Sequence, residues 1–155
     1  LAGKSGAVLK RILLLAVACC LAACRPPYDT TLSTKQVMTQ IIDPAWDAYR
    51  FSSGFVDTPT GTKDLTPTTP EGWRAADNAA AQLVEAGNLL LLPGRAHGGD
   101  WIKASNSLSQ VALKARAAVE RHDSKAMFDL GGDLYQACND CHQEYRLPLL
   151  ERAQQ

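Results

Sequence analysis

The stretch Ser124–Arg146, "SKAMFDLGGDLYQACNDCHQEYR", decides how this chain is read. Met127, Leu130, Leu134, Cys138, Cys141 and Tyr145 recur every three or four residues, the period of one helical face. Asp123 stands before the run as an N-cap, and Leu147–Pro148 follows as a stop. The apolar stripe therefore predicts a long amphipathic helix. Its last turns carry two cysteines two residues apart with a histidine directly after them, "CNDCH", Cys138 to His142.

Upstream, the same period appears three more times. Residues 33–51 open with Ser33 and Gln36 at capping-box spacing, and Val37, Met38, Ile41, Ile42, Ala45, Trp46 and Tyr49 share a face. Pro44 interrupts this helix and is expected to kink it. Thr69 offers an N-cap with Pro70 at the first helical position. Trp73, Ala76, Ala80, Leu83, Gly87, Leu90 and Leu91 then form a second face that Pro93–Gly94 stops. Asp100 is expected to cap a third helix, with Trp101, Ala104, Leu108, Val111, Ala112, Ala115 and Val119 inward. Residues 52–69, rich in Thr, Pro and Gly, read as a long loop, and no strand run competes. The expected fold is all-α, an antiparallel four-helix bundle of one domain in 155 residues.

The first residues read as a processed segment. Lys4, Lys10 and Arg11 precede the apolar run "ILLLAVACCLAAC", which is shorter than the roughly 20 residues of a membrane span. It ends in "LAAC", Leu21–Cys24, a bacterial lipoprotein cleavage box. Residues 1–23 are thus expected to be a signal peptide, Cys24 the lipidated first residue, 24–32 a tether and 33–155 the domain. The chain begins with Leu1, so the translation start is not expected there. Such a protein faces the periplasm on a lipid anchor, with the outer membrane of a Gram-negative cell the expected site.

Cysteine arithmetic follows. Cys19 and Cys20 leave with the signal and Cys24 takes lipid, so Cys138 and Cys141 remain alone in the mature domain. No disulfide framework can be built from one CxxC pair. A zinc site usually needs four ligands, and His97 and His122 have no ligand-like spacing to the pair. A redox dithiol is expected at a helix N-terminus in a βαβ setting, whereas this pair lies late in a helix. The C-x-x-C-H spacing suits covalent haem. Both sulfurs reach one porphyrin edge, and His142 can place an imidazole nitrogen on the iron. Sixteen basic against sixteen acidic residues, with no charge run, argue against nucleic acid as a partner.

With "CNDCHQEYR" late in the last of four helices, the chain resembles the class II c-type cytochromes, the cytochrome c′ group and its Met-ligated low-spin relatives. The resemblance covers about Ser33 to Pro148. It implies one haem c, with thioether links to Cys138 and Cys141 and His142 as proximal iron ligand. It also implies Arg146 near the haem and a distal-face residue on the first helix, where Met38 stands. Met127 is the only other methionine. It lies roughly 16 Å along the helix axis from Cys138, at about 1.5 Å per residue, and is expected in the core. The lipobox and the long Thr/Pro loop depart from the simplest members.

Trp46, Trp73 and Trp101 are expected as core or interface anchors. Tyr49 and Tyr145 are candidates for the porphyrin edge, and Arg50 and Arg146 for the propionates. No nucleophile–base pair, phosphate loop or carboxylate pair supports catalysis. The function expected is single-electron transfer between redox partner proteins at a membrane, with a homodimer compatible. The competing expectation is a five-coordinate haem that binds NO or CO. A dithiol or structural lipoprotein remains if the CxxCH is unmodified.

Overall fold

The structure, a computed structural model, describes residues 30–146. Leu32 opens the compact unit to which the helices belong. That unit is an all-α domain of four helices in bundle-like packing, with one small β-hairpin. Helix α1 has three stretches: α-helical Thr34–Val37, π-helical Met38–Ile42 and α-helical Asp43–Arg50. Strands β1 (Phe55–Thr58) and β2 (Gly61–Asp64) follow, then α2 (Pro70–Leu90), α3 (Gly99–Glu120) and α4 (Ser124–Tyr145).

Local chemistry sets most of the helix starts. The Ser33 side chain accepts from the Gln36 amide, and the Gln36 side chain accepts in return from the Ser33 amide at 2.9 Å. Thr69 Oγ1 accepts from the Gly72 amide with Pro70 in the first turn, and Asp123 accepts from the Ala126 amide. The third start differs from expectation. The cap is Gly98, and Asp100 lies inside the first turn. Gly98 has φ +109°, a conformation that glycine adopts readily and an aspartate would not.

The Pro44 interruption takes the form of a π-helical segment. Pro44 has no N–H for the Gln40 carbonyl, and its ring crowds that oxygen. The preceding turn widens, so that the Asp43 amide bonds to Met38 O, five residues back.

The 52–69 stretch is not all loop. Phe55–Thr58 pairs antiparallel with Gly61–Asp64 across a two-residue turn, in register Phe55↔Asp64 to Thr58↔Gly61. Every residue of both strands is exposed, so neither has the apolar alternation that marks a strand in sequence. The hairpin's one aromatic contact is Phe55 tilted against Phe128, centroids 6.2 Å apart.

The core is built largely from alanines: Ala76, Ala79, Ala80 and Ala86 of α2 face Ala112, Ala115 and Ala118 of α3. Small faces let α2 and α3 approach closely, and Gly87 is the tightest point. A Cβ there would collide with Ser109 Oγ and lie 2.7 Å from Ser105 O. Val37, Tyr49, Leu83, Met127 and Leu134 fill the remaining interior. α1 packs on α2 along its length, but its backbone meets α4 only through the stretch Asp43–Arg50. The Thr34–Ile42 stretch stands off from α4, and a gap opens between them.

Candidate functional site

That gap is a cavity of about 210 Å³, widening to a cleft of about 820 Å³ when the space open to solvent is included. The enclosed 210 Å³ is below the roughly 300–1,000 Å³ typical of small-molecule and cofactor sites. Helix α1 contributes Met38, Ile42, Asp43 and Trp46; α2 contributes Leu90; α3 contributes Ala104, Ser105 and Leu108. From α4 come Tyr135, Ala137, Cys138, Cys141 and His142. Residues three and four apart share a helix face, which is why both cysteines and the histidine turn to the same space. The four side chains singled out by the motif and by the first helix, Met38, Cys138, Cys141 and His142, are thus brought together.

The electrostatics suit neutral ligands. Burial pushes the Cys138 thiol up, with the nearby Cys141 and Asp43 adding to it, and burial does the same at Cys141. Both cysteines are free and half-buried. A reactive dithiol needs the opposite, a thiol pKa lowered by a helix N-terminus or a cation. Burial also pushes the His142 imidazole down, the Arg146 charge adding to the effect and Asp43 opposing it. His142 is accordingly neutral at pH 7, as a metal ligand must be. Among the described residues no group of three His, Cys, Asp or Glu is close enough to hold a metal ion by itself. An iron carried in a porphyrin needs no such cluster, because the macrocycle supplies four nitrogens.

The other candidates lie elsewhere. Met127 is fully buried in the core. Tyr49 is also fully buried, and its hydroxyl donates to Met127 O at 3.0 Å rather than lining the cavity. Tyr145 packs edge-on against Trp101, centroids 4.9 Å apart, with His97 4.7 Å from the same indole. It lines a second concavity on the far side of Cys141, together with Asp100, Lys103 and Glu144. Trp101 is buried and its Nε1 donates to Leu90 O at 2.8 Å, so it is a core anchor. Trp73 is half-buried and stacks on His122 at 4.0 Å, while Trp46 borders the cavity. Arg50 pairs with Asp47 and lies over the Phe51 ring. Arg146 caps α4, exposed, its amide donating to His142 O. Cys24 and the signal segment lie outside the described residues.

Asp43, Ser105, Tyr135 and Ala137 line the cavity without having been singled out by sequence, and Arg95, outside the lining, is buried as well. Asp43 brings a carboxylate to the cavity, and Ser105 brings a hydroxyl that is 2% exposed and has no hydrogen-bond partner. Arg95, 5% exposed, donates to Leu89 O and Leu32 O and so ties the start of α1 to the end of α2. Their roles depend on packing, and no motif marks them. Two thiols, one imidazole and one thioether line one cavity, the donor types that a covalent haem would use, and the Ser105 hydroxyl lines it too. Of the described helices, none is long and apolar enough to cross a membrane. No family model matches the chain, and no curated protein or solved structure matches it. The cytochrome resemblance therefore rests on the residues quoted above.

Proposed function

We propose that the chain is a mono-haem c-type cytochrome in an antiparallel four-helix bundle, passing single electrons between protein partners at a membrane surface. One observation carries this reading: Met38, Cys138, Cys141 and His142, drawn from the two ends of the domain sequence, line one cavity. Cys138 and Cys141 would hold the haem through thioether bonds, and His142 would ligate the iron. Met38 would give its sulfur from the other helix. The haem supplies a one-electron couple, and Met/His ligation raises its potential. Ile42, Leu90 and Leu108, all buried, give the cavity an apolar wall. A periplasmic location and a tether through lipid on Cys24 belong to the same proposal, carried by the "LAAC" box.

A second reading, NO or CO binding at a five-coordinate iron, draws on the same gap. The Thr34–Ile42 stretch makes no backbone contact with α4, so room exists on the Met38 side for a small ligand.

Absorption spectra of protein matured in a host with haem-attachment machinery separate the two. A low-spin reduced spectrum that CO leaves unchanged supports electron transfer. High-spin bands with immediate CO binding support the second reading. The tether is tested by Cys24→Ser, which should move the protein from the membrane to the soluble fraction.

A further inference from the structure

The turn that carries Met38 is not α-helical. Across Met38–Ile42 the Asp43 amide bonds to Met38 O, five residues back, and α-helical Thr34–Val37 and Asp43–Arg50 flank the turn. An α-helix advances about 100° per residue, so residues five apart stand about 140° apart around its axis. Met38 and Asp43 are five apart, yet both line the cavity. The π-helical turn, which takes one residue more than an α-helical one, brings them to the same side.

An extra residue also shifts the register of everything before it. Ala45 and Tyr49, both buried, hold the Asp43–Arg50 stretch in place. On that fixed stretch an unbroken α-helix would bring Thr39 to the place that Met38 holds at the cavity. Met38 would move round into the place of Val37, which is fully buried. Thr39 carries a hydroxyl, which donates to Lys35 O, and no sulfur. The extra residue is taken up toward solvent, where Thr39 and Gln40 are exposed. Pro44 is exposed as well and is not among the cavity's lining residues. It lacks the amide that an α-helix would bond to Gln40 O, and its ring crowds that oxygen.

We propose that Pro44 is a positioning residue for the sixth iron ligand: by holding the turn wide, it sets the register that puts Met38 at the cavity. This rests on the haem reading above, with Met38 as ligand, and names what places that ligand. Pro44 acts only through the backbone of α1.

The test is the absorption spectrum of the haem-loaded full chain, reduced, with and without CO, in a cycle of two changes. Pro44→Ala supplies the amide that the α-helical register needs. Part of the low-spin spectrum should be lost, and the lost fraction should bind CO at once. Deletion of Gln40 alone should give the same loss through the opposite shift, because Pro44 still holds the turn wide and Val37 comes to the cavity. Both changes together leave an α-helix in which Met38 and Asp43 are four apart and share a face. The low-spin spectrum and the indifference to CO should then return. A role of Pro44 in helix stability alone predicts the reverse, with the double variant the most damaged. Single variants with the wild-type spectrum, or a double variant no more low-spin than either single one, overturn Pro44 as the positioning residue. A wild-type chain that is already high-spin overturns it together with Met38 ligation. Failure to carry covalent haem overturns it together with the proposed function.

Discussion

The Tyr49 hydroxyl donates a 3.0 Å hydrogen bond to the Met127 carbonyl oxygen, joining α1 to α4 just beyond the point where the two helices part. Both residues are fully buried. Burial pushes the Tyr49 phenol far above its ordinary range, so the group remains a donor at every working pH. The bond lies in the one stretch of α1 whose backbone meets α4, and neither partner lines the cavity.

Tyr49→Phe keeps the ring and removes the bond, leaving the Met127 carbonyl with its place in the α4 helical ladder alone. A loss of about 0.5–1.5 kcal/mol of stability is expected, measured by urea unfolding of the haem-loaded protein. A midpoint equal to wild type would show that the bond does not tie α1 to α4.

Gly87→Ala should destabilise although alanine is the better helix former by roughly 0.5–1 kcal/mol. The new methyl meets Ser109 Oγ and the Ser105 backbone oxygen, and backbone cannot rotate away. Overpacking of this kind costs about 1–3 kcal/mol. Thermal unfolding should show a lower Tm than wild type, and a raised one would mean that α2 and α3 are not this close.

The haem-free polypeptide should have a stability plateau bounded on both sides. The folded His142 imidazole has its pKa lowered, so its contribution is present above the unfolded value near 6.5 and is lost as pH falls toward the folded one. Cys138 and Cys141 have raised pKa values, so theirs is present below the unfolded value and is lost as pH rises. Urea midpoints from pH 5 to 9.5 should fall at both ends. His142→Asn should weaken the acid limb and leave the alkaline one. An acid limb of unchanged depth would show that the imidazole is not held in the neutral form by burial.

Much of this architecture is legible in sequence because its signals are local. Ser33 with Gln36, Thr69 with Pro70, and Asp123 mark helix starts through bonds that span three residues. The apolar faces were equally readable: Ala76, Ala80, Leu83, Leu108, Ala112, Ala115, Met127 and Leu134 are all buried as their spacing requires. Asp100 gave a false cap because Gly98, two residues earlier, adopts a conformation that no side-chain pattern announces. The hairpin escaped because its strands are exposed on both faces. Pro44 announced an interruption but not that it would widen the helix at Met38. At the site, Cys138, Cys141 and His142 are legible as a motif. Ser105 and Arg95 are not, since an ordinary serine and a loop arginine become notable only when packing buries them.

Met38→Ala tests what fills the sixth iron position. Loss of the thioether should convert a low-spin spectrum to a high-spin one and let CO bind the reduced iron at once. An unchanged low-spin spectrum would exclude Met38 as the ligand, and no other methionine could replace it, because Met127 is buried in the core.

Covalent haem is decided by the mass of the intact, denatured protein after expression with haem-attachment machinery. The expected mass is that of the mature polypeptide plus one haem, reduced to the bare polypeptide when Cys138 and Cys141 are both replaced by alanine. A protein with the polypeptide mass alone and two titratable thiols would contradict it.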